Sequence, residues 1–177
     1  MRTQISLAGS IRSIPDFPKP GILFRDITTL LKDKKAFKQA LDLLAKKFAK
    51  EKIDYVVGVE ARGFIFGGAL AAQLNVGFIP IRKKGKLPGR TKSITYDLEY
   101  GTDTLEIHAD ALKPKDKVLI VDDLLATGGT VRGVADLVEA QGAKITGAAF
   151  VIELVDLKGR EKLRKYRIVS LVKFKGE

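Results

Sequence analysis

Five stretches of this chain, IDYVVGVE (53–60), VGFIPIRK (76–83), KVLIVDD (117–123), KITGAAFVIEL (144–154) and RIVSLVKF (167–174), are apolar at most successive positions, without polar alternation. A strand that is apolar on both faces has to be covered on both, and helices in the crossover connections are the usual cover. Helical patterns do lie between the strands. From Lys34 to Lys52, Phe37, Leu41, Leu44 and Phe48 recur three or four residues apart with lysines opposite, which predicts an amphipathic helix. A glycine-punctuated helix is expected from about Arg62 to Leu74. Another is expected over 128–143, with Val131, Val134, Leu137 and Val138 inward, and a short basic one over 158–167. The predicted class is α/β, with a mostly parallel central sheet flanked by helices. Such sheets bind ligands beyond the carboxyl ends of their strands.

The intervening segments carry breakers. IPDFPKPGILFRD (14–26) holds three of the six prolines and is expected to be irregular and extended, with Phe17, Ile22, Leu23 and Phe24 in need of a surface to cover. KGKLPGRTKSITYD (84–97) is polar, basic and punctuated by Gly85, Pro88 and Gly89, which predicts a long loop of the kind that serves as a lid. SITYDLEYGTDTLEIHAD reads as a hairpin joined at Tyr100 to Asp103. There is no internal repeat, and 177 residues fit a single domain.

A content of 45% hydrophobic residues argues against disorder despite 30% charged residues. The formal charge of +11 attracts anions of any kind, from phosphorylated metabolites to nucleic acid. The lysines and arginines are nevertheless spread over many segments, with no basic stripe interleaved with aromatics, so most of them read as solvated surface. The absence of cysteine excludes disulfides and thiolate metal sites and fits a reducing cytoplasm. MRTQISLAGSIRSIPDFP lacks the apolar centre of a signal peptide, and no apolar run approaches a membrane span. A soluble, cytoplasmic protein is expected.

The chemistry concentrates in VLIVDDLLATGGT (118–130). Its strand delivers Asp122 and Asp123 to the ligand-binding edge. The loop that follows opens a helix, whose first amides lack intrahelical partners and sit at the positive end of its dipole. Thr127, Gly128, Gly129 and Thr130 can therefore cradle a phosphate. Two carboxylates beside a phosphate would repel it, but they accept hydrogen bonds from vicinal hydroxyls. A ribose 5-phosphate satisfies both parts. Taken alone, adjacent aspartates cap helices and Thr-Gly-Gly-Thr makes a strand-to-helix turn; the combination in this order is what points to a ligand. Neither G-x-G-x-x-G nor G-x-x-x-x-G-K-[ST] occurs.

This pattern resembles the phosphoribosyl pyrophosphate (PRPP) motif of the type I phosphoribosyltransferases. FPKPGILFRDIT (17–28), GVEARGFIFG (58–67), RKKGKLPG (82–89), YDLEYGTDTLEIH (96–108) and LKGREKL (157–163) resemble, in order and spacing, the segments of the family's adenine-using branch. The resemblance implies a fold with a small N-terminal hood (about 1–33) on a core (about 34–177) and a flexible loop hairpin. It implies purine salvage: adenine and PRPP give AMP and pyrophosphate, with Mg²⁺, in a homodimer paired near GVEARG.

Carried over residue by residue, Asp122 and Asp123 would contact the ribose hydroxyls and Ala126, Thr127, Gly128, Gly129 and Thr130 the 5-phosphate. Ala61, Arg62 and Lys86 would hold the pyrophosphate, with Tyr100 a further substrate contact. Leu23, Phe24, Arg25 and Leu157 would surround adenine, Phe24 by stacking. Mg²⁺ would be held by substrate and water near the two aspartates, without a protein cage. Relatives acting on 6-oxopurines carry a carboxylate where Ala126 stands here. Glu99 is the candidate general acid/base, against the alternative of an exposed hairpin glutamate. A PRPP-sensing nucleic-acid regulator and a 6-oxopurine transferase are the competing functions. His108, the one histidine, has no apparent catalytic partner.

Overall fold

The computed structural model describes residues 5–97 and 101–176. The doubly apolar strands are β3 (Tyr55–Val59), β4 (Gly77–Lys83), β7 (Lys117–Leu125), β8 (Lys144–Leu154) and β9 (Ile168–Phe174). They form one seven-stranded sheet with the hairpin β5 (Thr91–Asp97) and β6 (Thr102–His108), in the order β5-β6-β4-β3-β7-β8-β9. Pairing is parallel from β4 through β9 and antiparallel at β4–β6 and β5–β6. Both faces are covered, as double-sided apolarity demands. Leu119 and Val121 pack with α2 (Lys34–Phe48) and α3 (Arg62–Leu74), while Val118 and Ile120 pack with α4 (Gly129–Ala140) and the hairpin.

The chain passes from β3 outward to β4 and returns to lay β7 on the other side of β3. That reversal makes the β3/β7 boundary the topological switch point, where an open α/β sheet leaves a crevice at its carboxyl edge.

Several expectations need correction. Residues 14–26 are not irregular throughout: β2 (Phe24–Asp26) pairs antiparallel with β1 (Arg12–Ile14), Arg12 opposite Asp26. Asp26 anchors this small sheet, accepting from Arg12 Nε (3.0 Å), Thr28 N (2.9 Å) and Thr28 Oγ1 (2.9 Å). A short helix, α1 (Thr28–Lys32), follows and buries Leu30 in the same core as Leu7, Ile11 and Ile27. The long loop expected over 84–97 shrinks to 84–90, because β5 begins at Thr91, zipped onto β6 from Thr91–His108 to Asp97–Thr102. The helix expected to reach Lys52 ends at Phe48, and that over 158–167 is a 3₁₀ turn, Gly159–Leu163, preceded by another, Val155–Leu157.

Candidate active site

Of the helices long enough to carry a useful dipole, α2 is capped by its own sequence, the Asp33 carboxylate accepting from Lys35 N and Ala36 N. The other two are not. α3 begins after Ala61 and α4 after Gly128, and neither start receives a side-chain cap. Both open into a cavity of about 360 Å³ at the β3/β7 boundary. Two helix starts with unsatisfied amides converging on one cavity make two places where an anion is stabilised by partial positive charge.

Gly128 adopts φ +79° to turn the chain from β7 into α4. The start of α3 packs equally tightly on the end of β7, since a Cβ on Gly63 would lie 2.8 Å from Asp122 Oδ1 and 3.0 Å from the Val121 carbonyl. The peptide bond Glu60–Ala61, just before α3, is cis.

Between the helix starts lie Asp122 and Asp123. Asp122 Oδ1 accepts from the Asp123 backbone N–H at 2.8 Å. Burial pushes the Asp122 carboxyl well above the ordinary carboxylate range, and the charge of Asp123 adds to the rise. Asp123 is also raised by burial, less so because Arg62 opposes it. Arg62 Nε stands 2.9 Å from Asp123 Oδ2, yet that buried oxygen receives no hydrogen bond among the described residues. The ion pair thus leaves this oxygen without an aligned donor.

Sequence reasoning missed part of the wall. Lys83 ends β4 and pairs with Asp103 of β6 at 3.0 Å; Tyr96 of β5 lies within 3.4 Å of the Thr130 hydroxyl; Glu60 holds Arg82 at 2.8 Å. The Asp103 partner raises the Lys83 ammonium, and hydrogen bonding to Arg82 outweighs burial to lower the Glu60 carboxyl. Lys83 was legible in principle, being the last residue of a parallel strand at the ligand edge. Among the described lining residues four carboxylates (Glu60, Asp103, Asp122, Asp123) face two cations (Arg62, Lys83). A phosphate entering here meets the helix amides, Arg62 and Lys83 against an excess of carboxylates, which any cation that it carries would offset.

Residues 26–176 match the phosphoribosyl transferase domain. The chain belongs to the phosphoribosyltransferase family. It is 58% identical to the adenine phosphoribosyltransferase of Methylobacterium nodulans, over 99% of this chain and 98% of that one. The solved structure of the adenine phosphoribosyltransferase of Thermoanaerobacter pseudethanolicus superposes with a TM-score of 0.92 at 54% identity, covering 95% of this chain and 98% of that one. The Saccharomyces cerevisiae enzyme, solved with D-2,5-dideoxy-2,5-imino-altritol 1,6-bisphosphate and adenine, superposes with a TM-score of 0.88 at 42% identity, covering 94% of this chain and 96% of that one.

The phosphoribosyltransferase motif thus sits at the switch point, with Ala61, Arg62, Asp122, Asp123 and Ala126 to Thr130 all in the cavity wall. The other expected residues that the structure describes lie outside the lining. Lys86 is exposed on the 84–90 loop and is tied in through its backbone, its carbonyl accepting from Arg82 Nη1 at 2.9 Å. Phe24 lies beside the wall, the Arg62 guanidinium 5.5 Å from its ring centroid and Phe17 edge-on at 5.1 Å. Leu23 is half-buried. The Arg25 side chain stacks on Phe174 at 3.9 Å and donates to Ser13 Oγ at 2.7 Å. Leu157 is exposed, and His108 ends β6 outside the lining. Glu99 and Tyr100 lie outside the described residues.

Proposed function

We propose that this chain transfers the 5-phosphoribosyl group of PRPP to adenine, giving AMP and pyrophosphate, as a purine salvage enzyme. The observation that carries the reading is the pair of uncapped helix starts flanking a buried diacid in one cavity. PRPP has the matching chemistry: a phosphate at one end and a pyrophosphate at the other end of a sugar with vicinal hydroxyls. The amides of Thr127 to Thr130, behind Ala126, hold the 5-phosphate, and Asp122 and Asp123 accept from the ribose hydroxyls. The α3 start, with Ala61, Arg62 and Lys83, holds the pyrophosphate, and Lys86 joins when the 84–90 loop folds over.

As the C1–O bond breaks, its electron pair leaves with pyrophosphate and C1 gains oxocarbenium character. Arg62 and Lys83 stabilise the growing negative charge. Adenine N9 forms the new bond to C1, and Glu99 is the candidate to take the proton that N9 sheds. Phe24 is positioned to stack on the base, with the backbones of Leu23 and Arg25 along its edge and Leu157 on the far side. The yeast relative's ligands, adenine with a bisphosphorylated imino alditol, have the chemistry that such a site selects.

Mg²⁺ fits the donor set. Among the described residues no group of three or more His, Cys, Asp and Glu could hold a metal by itself, while the carboxylate excess favours a cation arriving with the substrate. Asp122 and Asp123 would hold it through water, as this ion prefers, and it would neutralise phosphate charge. The reading further makes the chain one domain working as a homodimer, paired through the outer face of α3, where Ile65 is 42% exposed. It makes the enzyme cytoplasmic; no helix among the described residues is long and apolar enough to cross a membrane. A steady-state assay offering adenine, hypoxanthine, guanine and xanthine with PRPP and Mg²⁺ tests the activity. Turnover with adenine alone is expected; preference for a 6-oxopurine, or no turnover, would overturn it.

A further inference from the structure

The segment LKGREKL contains a charged pair that the reaction leaves unused. Arg160 donates through Nε to Glu153 Oε1 (2.6 Å) and through Nη2 to Glu153 Oε2 (2.7 Å), a two-pronged pair between a 3₁₀ turn and the end of β8. The same guanidinium reaches Ser170 Oγ on β9 (3.0 Å) and the Ile168 carbonyl (3.1 Å), and the Ser170 hydroxyl donates to Glu153. Glu153 is 5% exposed. Burial pushes its carboxyl up, but Arg160 and Ser170 more than reverse this and hold it below the ordinary glutamate value. The group therefore stays charged in the interior. The Arg160 side chain is 39% exposed, and a pair between a half-exposed cation and a buried carboxylate adds little net stability, because solvent screens the attraction and desolvation of the carboxylate offsets it. Stability alone does not explain why the pair is there.

Its neighbour supplies a reason. Gly159 presses backbone to backbone on the motif loop: a Cβ there would lie 2.2 Å from the Ala126 carbonyl and 3.1 Å from Gly128 N. From the other side, a Cβ on Gly128 would lie 2.5 Å from the Gly159 carbonyl. Leu163, at the end of the same turn, is fully buried in the cluster that includes Val131 and Val134 of α4. The turn is thus fixed on one side by Arg160 and on the other by Leu163, with its glycine as the back wall of Ala126–Gly128.

We infer that Glu153, Arg160 and Ser170 are positioning residues that clamp the 5-phosphate loop, setting the direction of the amides at the start of α4. This rests on the reading of that loop as the 5-phosphate site. None of the three lines the cavity, so any effect they have on binding must pass through the turn.

The test is titration calorimetry of the full chain and of Arg160→Ala, Arg160→Lys and Ser170→Ala, with ribose 5-phosphate and separately with inorganic pyrophosphate, both in Mg²⁺. Arg160→Ala is expected to weaken ribose 5-phosphate about tenfold or more while pyrophosphate stays within about twofold, since a buried acceptor left unpaired disturbs the turn and not the α3 end. Arg160→Lys keeps the charge but loses the fork and should recover part of the loss. Ser170→Ala should show the same split at smaller size, and with the lysine variant it carries the test if Arg160→Ala does not fold. Equal weakening of both ligands, or unchanged ribose 5-phosphate binding, would overturn the clamp. An unsubstituted chain that binds pyrophosphate but not ribose 5-phosphate would overturn the site reading itself, and the clamp with it.

Discussion

Gly128→Ala is the sharpest single test of how the cavity is built. Gly128 sits at φ +79° and ψ 0°, a left-handed conformation that costs an L residue about 1–2 kcal/mol. The added methyl would also lie 2.5 Å from the Gly159 carbonyl, where backbone blocks backbone and no flexible side chain can move aside. Overpacking of that kind costs about 1–3 kcal/mol. Together they amount to roughly 2–5 kcal/mol, a large part of the 5–15 kcal/mol that typically stabilises a domain. For a chain of 177 residues that corresponds to a fall in Tm of roughly 4–20 °C. Because the clash opens the loop from behind, the surviving folded protein should also lose affinity for ribose 5-phosphate while keeping its affinity for pyrophosphate. Thermal melts and calorimetry measure the two effects separately. A variant with unchanged Tm and unchanged ribose 5-phosphate binding would refute the close approach of Gly128 and Gly159 and the phosphate site drawn from it.

Other outcomes follow from the same geometry. Asp122→Asn combined with Asp123→Asn should abolish transfer with the fold intact by circular dichroism. Asp122→Asn alone should be neutral or stabilising at pH 7: the folded carboxyl titrates above its unfolded value, so ionising it costs stability, and the advantage of Asn should grow in urea melts as pH rises from about 4. A marked loss of stability at neutral pH would contradict that. Asp26 has the opposite sign. Its carboxyl is lowered to about 2, first by the Thr28 N–H and then by Arg12, so its contribution of about 1–2 kcal/mol is present above pH 4 and lost as pH falls toward 2. The stability gap between the unsubstituted chain and Asp26→Asn should close over that window; a gap independent of pH would count against the anchor. Deleting Gly85 to Arg90 should cut turnover and raise PRPP hydrolysis relative to transfer, if the loop that Arg82 ties down through the Lys86 carbonyl excludes water from the cavity. Unchanged kinetics would remove the lid.

What was legible in the sequence was whatever local periodicity or one continuous motif encodes. The helix Arg62–Leu74 and the strand Lys144–Leu154 lie where their patterns put them. The diacid and the Thr-Gly-Gly-Thr turn are contiguous, so their sharing of one cavity wall could be read directly. β5 could not be read along its whole length: Thr91 and Lys92 carry no apolar alternation, and they are a strand because β6 is there to pair with them.

Only the tertiary structure decided which distant residues meet. Arg12 and Asp26, fourteen positions apart, pair across a segment that reads as breakers. Lys83, not Lys86, reaches the wall, because strand direction places the last residue of β4 at the ligand edge while the loop carries the next lysines outward. Gly159 meets Gly128 across thirty-one residues, and nothing at either position in the chain announces the other. Strand and helix preferences arise from neighbours two to four positions apart, whereas a binding site is assembled from chain ends that a sheet order brings together. The order β4-β3-β7, with its reversal at β3, put the acidic tip of one strand between two uncapped helices.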